Sequence, residues 1–275
     1  MKKTIWWAIV IVGFGVFSFI FYRAWQQSRP QPESAPPVAA PAAPAPSTEP
    51  GIRFPIEQQS PQKPLPALND SDAAVAEALG GVWNAKTLEQ LFHRKDVIRR
   101  IVATIDKLPR NKLALRLMPV KPAAGPFLTA GKDAGLAVSP GNAARYAPYV
   151  RVAEAMDTNK VVAVYIRFYP LLQQAYRELG YPKGYFNDRL VEVIDHLLTA
   201  PEVRPPVRLV QPKVFYLYAD PDLEARSAGQ KIMMRIGAEN AARIKSKLRE
   251  LRGELTRSVN KSAAPAPSPA RDRAR

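Results

Sequence analysis

Residues Thr4 to Tyr22 form a run of 19 residues without a charge, preceded by Met1-Lys2-Lys3 and closed by Arg23. As a helix at about 1.5 Å per residue this run is roughly 28 Å long, close to the hydrocarbon thickness of a bilayer. Trp6 and Trp7 stand at one end, and Tyr22 and Trp25 at the other, where amphipathic rings settle at the headgroup level. A cleaved secretory signal would carry a shorter apolar core, about 7–15 residues, with a small-x-small site behind it. Tyr22-Arg23-Ala24-Trp25 offers no such site, and the next small cluster, Val38-Ala39-Ala40, runs into Pro41. Residues 1–25 are therefore expected to be an uncleaved signal-anchor, one transmembrane helix held in a membrane through residues 4–22. Lys2 and Lys3 nearly balance Arg23 and Arg29 across it. A short basic N-tail that stays cytoplasmic sends the remainder of the chain outward.

Proline sets the next boundary. Between Pro30 and Pro66, 12 of 37 residues are proline, with Ala, Gln and Ser in most gaps. Such a stretch lacks the apolar content to offset the entropy of ordering it, so residues 26–66 read as a disordered Pro/Ala-rich linker. At about 3.1 Å per residue its maximum reach is on the order of 110 Å, enough to hold a domain well away from a membrane. Ser258 to Arg275 repeats the Ala-Pro style and reads as a disordered basic tail, leaving 67–257 as the folded domain. The net charge is +16, of which residues 51–260 carry +11, so the basicity belongs to the folded part. The chain has no cysteine, which excludes disulfides, thiol catalysis and Cys-based metal sites, and it has only two histidines. No metal and no cofactor is expected.

The folded part reads as mainly α, a helical domain with a few short strands. Asn69-Asp70-Ser71 is a capping cluster ahead of Ala73–Leu79, which Gly80-Gly81 ends. Short helical signals follow from Thr87 to Phe92. Then Val97, Ile98, Ile101, Val102, Ile105 and Leu108 mark one apolar stripe on a helix over 94–108. From Leu113 to Ser139 alternating leucines and repeated Pro and Gly predict short strands and turns. Helices are expected over Asn142–Met156 and Asn159–Leu179, the second with Tyr165, Phe168, Leu172, Ala175 and Leu179 on one face and a kink at Pro170. Asn187 is expected to cap a helix that stops before Pro201. Val207–Tyr218 is the best strand candidate, limited by Pro212. Asp220-Pro221 then opens the last helical region, which Gly237 splits, and Ala241, Ile244, Leu248, Leu251 and Leu255 form a seam along its second half.

Chemistry-bearing patterns are few. Gly125 to Asp133 falls short of a phosphate loop, because five residues separate its glycines where four are needed and Asp133 replaces the hydroxyl. Asp188, Glu192 and Asp195 share one helix face with His196 one turn from Glu192, a spacing that could serve acid–base or metal chemistry. The same pattern is what the wet face of an amphipathic helix shows, with Arg189 pairing Glu192. His93 reads as a partner for a helix C-terminus, and Asp220, Asp222 and Glu224 as first-turn acids. No residue is singled out as catalytic. Nine of ten tyrosines lie between Tyr146 and Tyr218, interleaved with Arg145, Arg151, Arg167, Arg177 and Arg189. Tyr and Arg dominate binding hot spots. Tyr165, Phe168 and Tyr176 fit a core stripe, whereas Tyr181 and Tyr185, in a Gly-Tyr-Pro-Lys-Gly-Tyr turn, are expected to be exposed. The partner-binding candidates are Arg145, Arg167, Arg177, Tyr181 and Tyr185. Residues 94–121 add a local +7.

The stretches LPALNDSD (65–72), LFHRKDVIRRIVATIDKLPR (91–110), NAARYAPYV (142–150), YPLLQQAYRELGYP (169–182), FNDRLVEVIDHLL (186–198) and VFYLYADPDLEARSAGQKIMMRIGAEN (214–240) together resemble a bacterial family catalogued as a domain of unknown function, number 3014. The resemblance covers roughly residues 60–255. It implies a proteobacterial protein with one N-terminal anchor and a single domain, and it carries no activity or catalytic residue to transfer. The expected protein is single-pass in the inner membrane with its C-terminal domain in the periplasm. It is expected to be a binding or scaffold module that contacts an anionic envelope component or a partner protein. Two other readings compete: a cell-wall hydrolase using Asp188, Glu192 and Asp195, and, for a cytoplasmic domain, a nucleic-acid binder. Nucleic acid is not the partner that an outward-facing domain leads one to expect.

Overall fold

The expected helices form, and one of them is closed by a side chain distant in sequence. The computed structural model describes residues 51–56 and 64–262. The apolar run at 4–22, most of the proline-rich stretch and the chain beyond Ser262 lie outside the described residues. Among those described there are nine α-helices and two small antiparallel sheets. No helix among them is long and apolar enough to cross a membrane.

Helix α1 (Asp72–Gly80) is Ala-rich, and α2 (Ala85–Leu91) is capped by Asn84, whose side chain accepts from the Thr87 amide at 2.9 Å. Ser71 departs from expectation: it precedes α1, but its hydroxyl donates back to the Leu68 carbonyl and caps nothing. Asp72 supplies a cap of another kind. Its two carboxylate oxygens accept from the Asp96 and Val97 amides at 2.8 and 2.9 Å, closing the N-terminus of α3 (Val97–Lys107) from 24 residues away. Asp96 takes a left-handed conformation, φ 55°, so α3 starts at Val97 rather than at 94.

Helix α4 spans Asn142–Glu154, and α5 Thr158–Glu178 with Asp157 as its cap. Helix α6 (Phe186–Leu198) starts one residue before Asn187, which caps no helix. Asn187 is fully buried instead: its amide donates to the Phe54 carbonyl at 2.8 Å and its oxygen accepts from the Tyr165 hydroxyl at 3.0 Å. A buried amide must find partners, and these two bind the 51–56 segment and α5 to α6. Asp188 adds to this by accepting from the amides of Arg53 and Phe54. Residues 51–56, proline-flanked and read as linker, are thus held against the domain.

The region from Val207 to Tyr218 is a hairpin rather than one strand. The alternating leucines at 113, 115 and 117 make no strand either, since Leu115–Leu117 is a 3-10 turn. Strands β1 (Thr129–Ala130) and β2 (Ala137–Val138) pair with each other, as do β3 (Leu209–Val210) and β4 (Leu217–Tyr218). Pro212 sits in the connection between β3 and β4, where its missing N–H costs no ladder bond. Asp220 then caps α7 (Pro221–Glu224), with Pro221 at its first position as expected. The following helical region breaks twice. Ser227 caps α8 (Ala228–Arg235), and Gly237, at φ 90°, separates it from α9 (Ala238–Ser262).

The core follows the stripes. Ile98 and Val102 of α3 meet Phe168, Leu172, Ala175 and Tyr176 of α5 and the fully buried Phe186. Leu248, Leu251 and Leu255 pack α9 on Val162, Val191 and Ile194 of α5 and α6. Leu179 leaves the predicted face and is 40% exposed, because α5 has ended before it. A further cluster of Leu209, Tyr218 and Met234 seats the hairpin on α8.

Candidate functional site

One carboxylate organises the junction of α3, α6 and the α5–α6 turn. The Asp106 side chain is 1% exposed and stands one turn beyond Val102 on the buried face of α3. It accepts from Arg110 at 3.0 Å and from the Tyr181 hydroxyl at 2.8 Å, with Lys107 at 3.4 Å and Arg189 at 3.7 Å. Arg110 also donates to the Tyr181 oxygen at 2.7 Å, and Arg189 donates to the Asp106 carbonyl at 3.0 Å. Tyr181 lies flat on Tyr176, ring centroids 4.5 Å apart. Burial alone pushes the Asp106 carboxyl up; the Tyr181 hydroxyl and the Arg110 and Lys107 charges outweigh it and hold the group below its ordinary range. The same hydrogen bond to Asp106, helped by burial, pushes the Tyr181 hydroxyl up. Arg189 also pairs Glu192 at 2.9 Å, as its spacing predicts, while its buried Nε has no partner. Tyr181 is thus half-buried and committed within the fold, not exposed as its turn sequence suggested.

The acidic face of α6 does not converge. Asp188 caps the 51–56 backbone, Glu192 pairs Arg189, and Asp195 pairs Arg252 of α9. His196 is 2.7 Å from the Ser227 hydroxyl; burial first, and Arg189 second, push its pKa down. Among the described residues no group of three or more His, Cys, Asp or Glu could hold a metal ion. Asp220 and Glu224 serve α7 and the hairpin, Glu224 pairing Lys231 at 2.7 Å and accepting from the Tyr218 amide.

The five partner-binding candidates separate into two kinds. Arg145 is half-buried and donates to the carbonyls of Ala124 and Gly125 and to the Asn142 oxygen, so it clamps the loop before β1. Tyr181 belongs to the Asp106 junction. Tyr185 is half-buried at the start of α6. Arg167 and Arg177 are exposed on α5 and make no ion pair among the described residues. They lie on a stripe of exposed positions, Lys160, Ala163, Arg167, Pro170, Gln174 and Arg177, spaced by three and four. Over 17 residues at about 1.5 Å each the stripe is roughly 25 Å long. It carries three cations, and the acid beside its end, Glu178, accepts from Gln174 at 2.9 Å and pairs Arg99.

The basic segment 94–121 is mostly occupied. Arg99 pairs Glu178, Arg100 donates to the Lys95 and Met118 carbonyls, and Lys121 donates to the Glu89 carbonyl. Arg94, Lys95, Lys112 and Arg116 remain exposed without an ion pair among the described residues. A shallow cleft of about 390 Å³ lies between α2 and α4, lined by Trp83, Thr87, Gln90, Arg151 and Val152 among others. The Trp83 indole N–H donates to the Val152 carbonyl at 3.1 Å there.

A family model described as "Protein of unknown function (DUF3014)" matches residues 97–252, over half the chain. The chain belongs to that family. No curated protein and no solved structure matches it. The DUF3014 match runs from the first residue of α3 into α9, so it includes Asp106, the α5 stripe and the β3–β4 hairpin. It leaves out Trp83 and the Asp72 cap. The signal for Asp106 in the sequence is its phase: it stands eight and four residues after Ile98 and Val102, in step with the buried stripe. A charge in that phase needs a buried partner, and Tyr181, 75 residues away, is one.

Proposed function

We propose that this DUF3014 protein is a membrane-tethered periplasmic binding module, without catalysis, whose α5 face contacts an anionic component of the cell envelope or an acidic partner protein. The observation that carries this reading is the Lys160–Arg167–Arg177 stripe: three cations on one exposed helix face, none of them in an ion pair among the described residues. Exposed unpaired cations contribute little to folding and add long-range attraction for anions, screened over about 8 Å at physiological salt. The hydrolase reading loses support because Asp188, Glu192 and Asp195 each answer a different neighbour, so no pair of carboxylates faces a common space. The nucleic-acid reading applies only to a cytoplasmic domain.

Two experiments test the proposal on the full chain in cells. The chain has no cysteine, so Ala163→Cys introduces a single thiol. A maleimide that cannot cross the inner membrane labels it if the domain is periplasmic; labelling only after lysis contradicts the location. A photo-activatable residue at Ala163 should give an adduct whose yield falls about tenfold in Arg167→Glu/Arg177→Glu, as charge reversal at a contact removes more than 1.4 kcal/mol. An adduct unchanged by the reversal, or none, overturns the assignment of this face.

A further inference from the structure

The β3–β4 hairpin ends in the most exposed of the large apolar side chains among the described residues. Val214 and Phe215 are each 79% exposed, and Val210 on β3 is 44% exposed. Isolated surface apolars are ordinary, but two adjacent ones at a projecting tip are not. The tip is braced from behind: β3 pairs with β4, the Gln211 side-chain amide donates to the Val214 carbonyl at 3.2 Å, and the Tyr216 ring lies tilted against Phe127, 5.8 Å between centroids. The charge around it has one sign. From Val203 to Ala219 the chain holds Arg204, Arg208 and Lys213 and no acid. None of the three makes an ion pair among the described residues, and Arg208 donates only to the Ala134 carbonyl, at 3.4 Å. Asp220 and Asp222 stand behind the hairpin, beyond β4.

We propose that this tip enters the headgroup region of an anionic phospholipid bilayer, with Val214 and Phe215 inserted and Lys213 and Arg208 against lipid phosphates. Arg208 lies three residues before Gln211, about 10 Å along the strand. That matches the depth of about 5–10 Å to which amphipathic elements bury an apolar face while their cations stay at the headgroups. A protein pocket would take the apolar pair without using the cations; an anionic bilayer uses both. This site is separate from the α5 stripe and rests on the anchor reading only for the nearness of the bilayer. The spacer's reach of about 110 Å is a maximum, so an anchored domain can also approach the surface.

The test uses the full chain with Val214→Cys carrying an environment-sensitive fluorophore, and Glu77→Cys, exposed on α1, as control. Each is reconstituted into phosphatidylcholine vesicles with or without about one-third phosphatidylglycerol and with headgroup-region spin-labelled lipid as quencher. The expected result is quenching at position 214 severalfold above position 77 in the anionic vesicles. Lys213→Gln or Arg208→Gln should each weaken insertion on the order of fivefold. A chain that is not recovered with the vesicles at all overturns the anchor and the tip together. A recovered chain with position 214 quenched no more than position 77 overturns the tip alone. Blue-shifted emission without lipid quenching places the tip in a protein pocket or against a second copy, and equal quenching in neutral vesicles removes the role of anionic lipid; either outcome overturns the proposal.

Discussion

At the junction of α3 and α6 the charges pair around one buried anion; on the outer face of α5 three cations make no ion pair among the described residues. Asp106, almost sealed from solvent, gathers Arg110, Lys107, Arg189 and the Tyr181 hydroxyl, and Arg189 reaches on to Glu192. The side chains of Lys160, Arg167 and Arg177, on a helix that packs against the same junction, make no ion pair among the described residues. Both regions are rich in Arg and Tyr or Arg and Lys, so residue type does not separate them. Burial of one carboxylate does. An anion withdrawn from water draws cations inward and turns them into structure, whereas cations with no buried anion nearby stay available to a partner.

The largest effect should come from removing that anion. Asp106→Ala leaves Arg110, Lys107 and Arg189 facing one another and strips the Tyr181 hydroxyl of its acceptor, and should cost about 3 kcal/mol. The measurement is the urea midpoint of the full chain in mild detergent; a loss below about 1 kcal/mol would break the contrast. Next is Gly229→Ala, beside the same junction. A Cβ there would lie 2.6 Å from a Leu197 methyl and 3.0 Å from the Leu108 carbonyl, so about 1–3 kcal/mol is expected in the same assay.

The contrast also has a pH signature. The Asp106 carboxyl sits below its ordinary 3.8 in the fold, so the unfolded chain takes up its proton first as pH falls. Its contribution is present in full above that value and is lost as pH drops through 3.8 toward the lower folded-state pKa. The stability gap between the native chain and Asp106→Asn should therefore narrow below about pH 4. A gap that widens there would contradict the assignment. Phe215→Ser, at the solvent-facing end of the hairpin, should change the midpoint by less than about 0.5 kcal/mol, since it removes almost no buried contact.

How much of this was legible follows from how local each signal is. The stripe Ile98–Val102 and the Asp220 cap are written within a few residues, and the helices they predict form. The α5 stripe was partly legible too, through Arg167 and Arg177. What failed was long-range. Tyr181 looked exposed in its Gly- and Pro-rich turn because its acceptor lies on another helix, and Asn187 looked like a cap because its partners, Tyr165 and Phe54, are elsewhere. Val207–Tyr218 was read as one strand because six residues of connection, Gln211 to Tyr216, include the strand-like Val214, Phe215 and Tyr216, which only the pairing of Val210 with Leu217 reveals as a tip.

The most direct test of the account measures Arg167→Glu/Arg177→Glu twice, for its unfolding midpoint and for its cross-link yield from position 163. The expected result is an unfolding free energy within about 0.5 kcal/mol of the native chain and a yield reduced about tenfold. A chain destabilised by more than about 2 kcal/mol, with the yield per folded molecule unchanged, would show that these cations are structural after all and that the α5 face has no anionic partner.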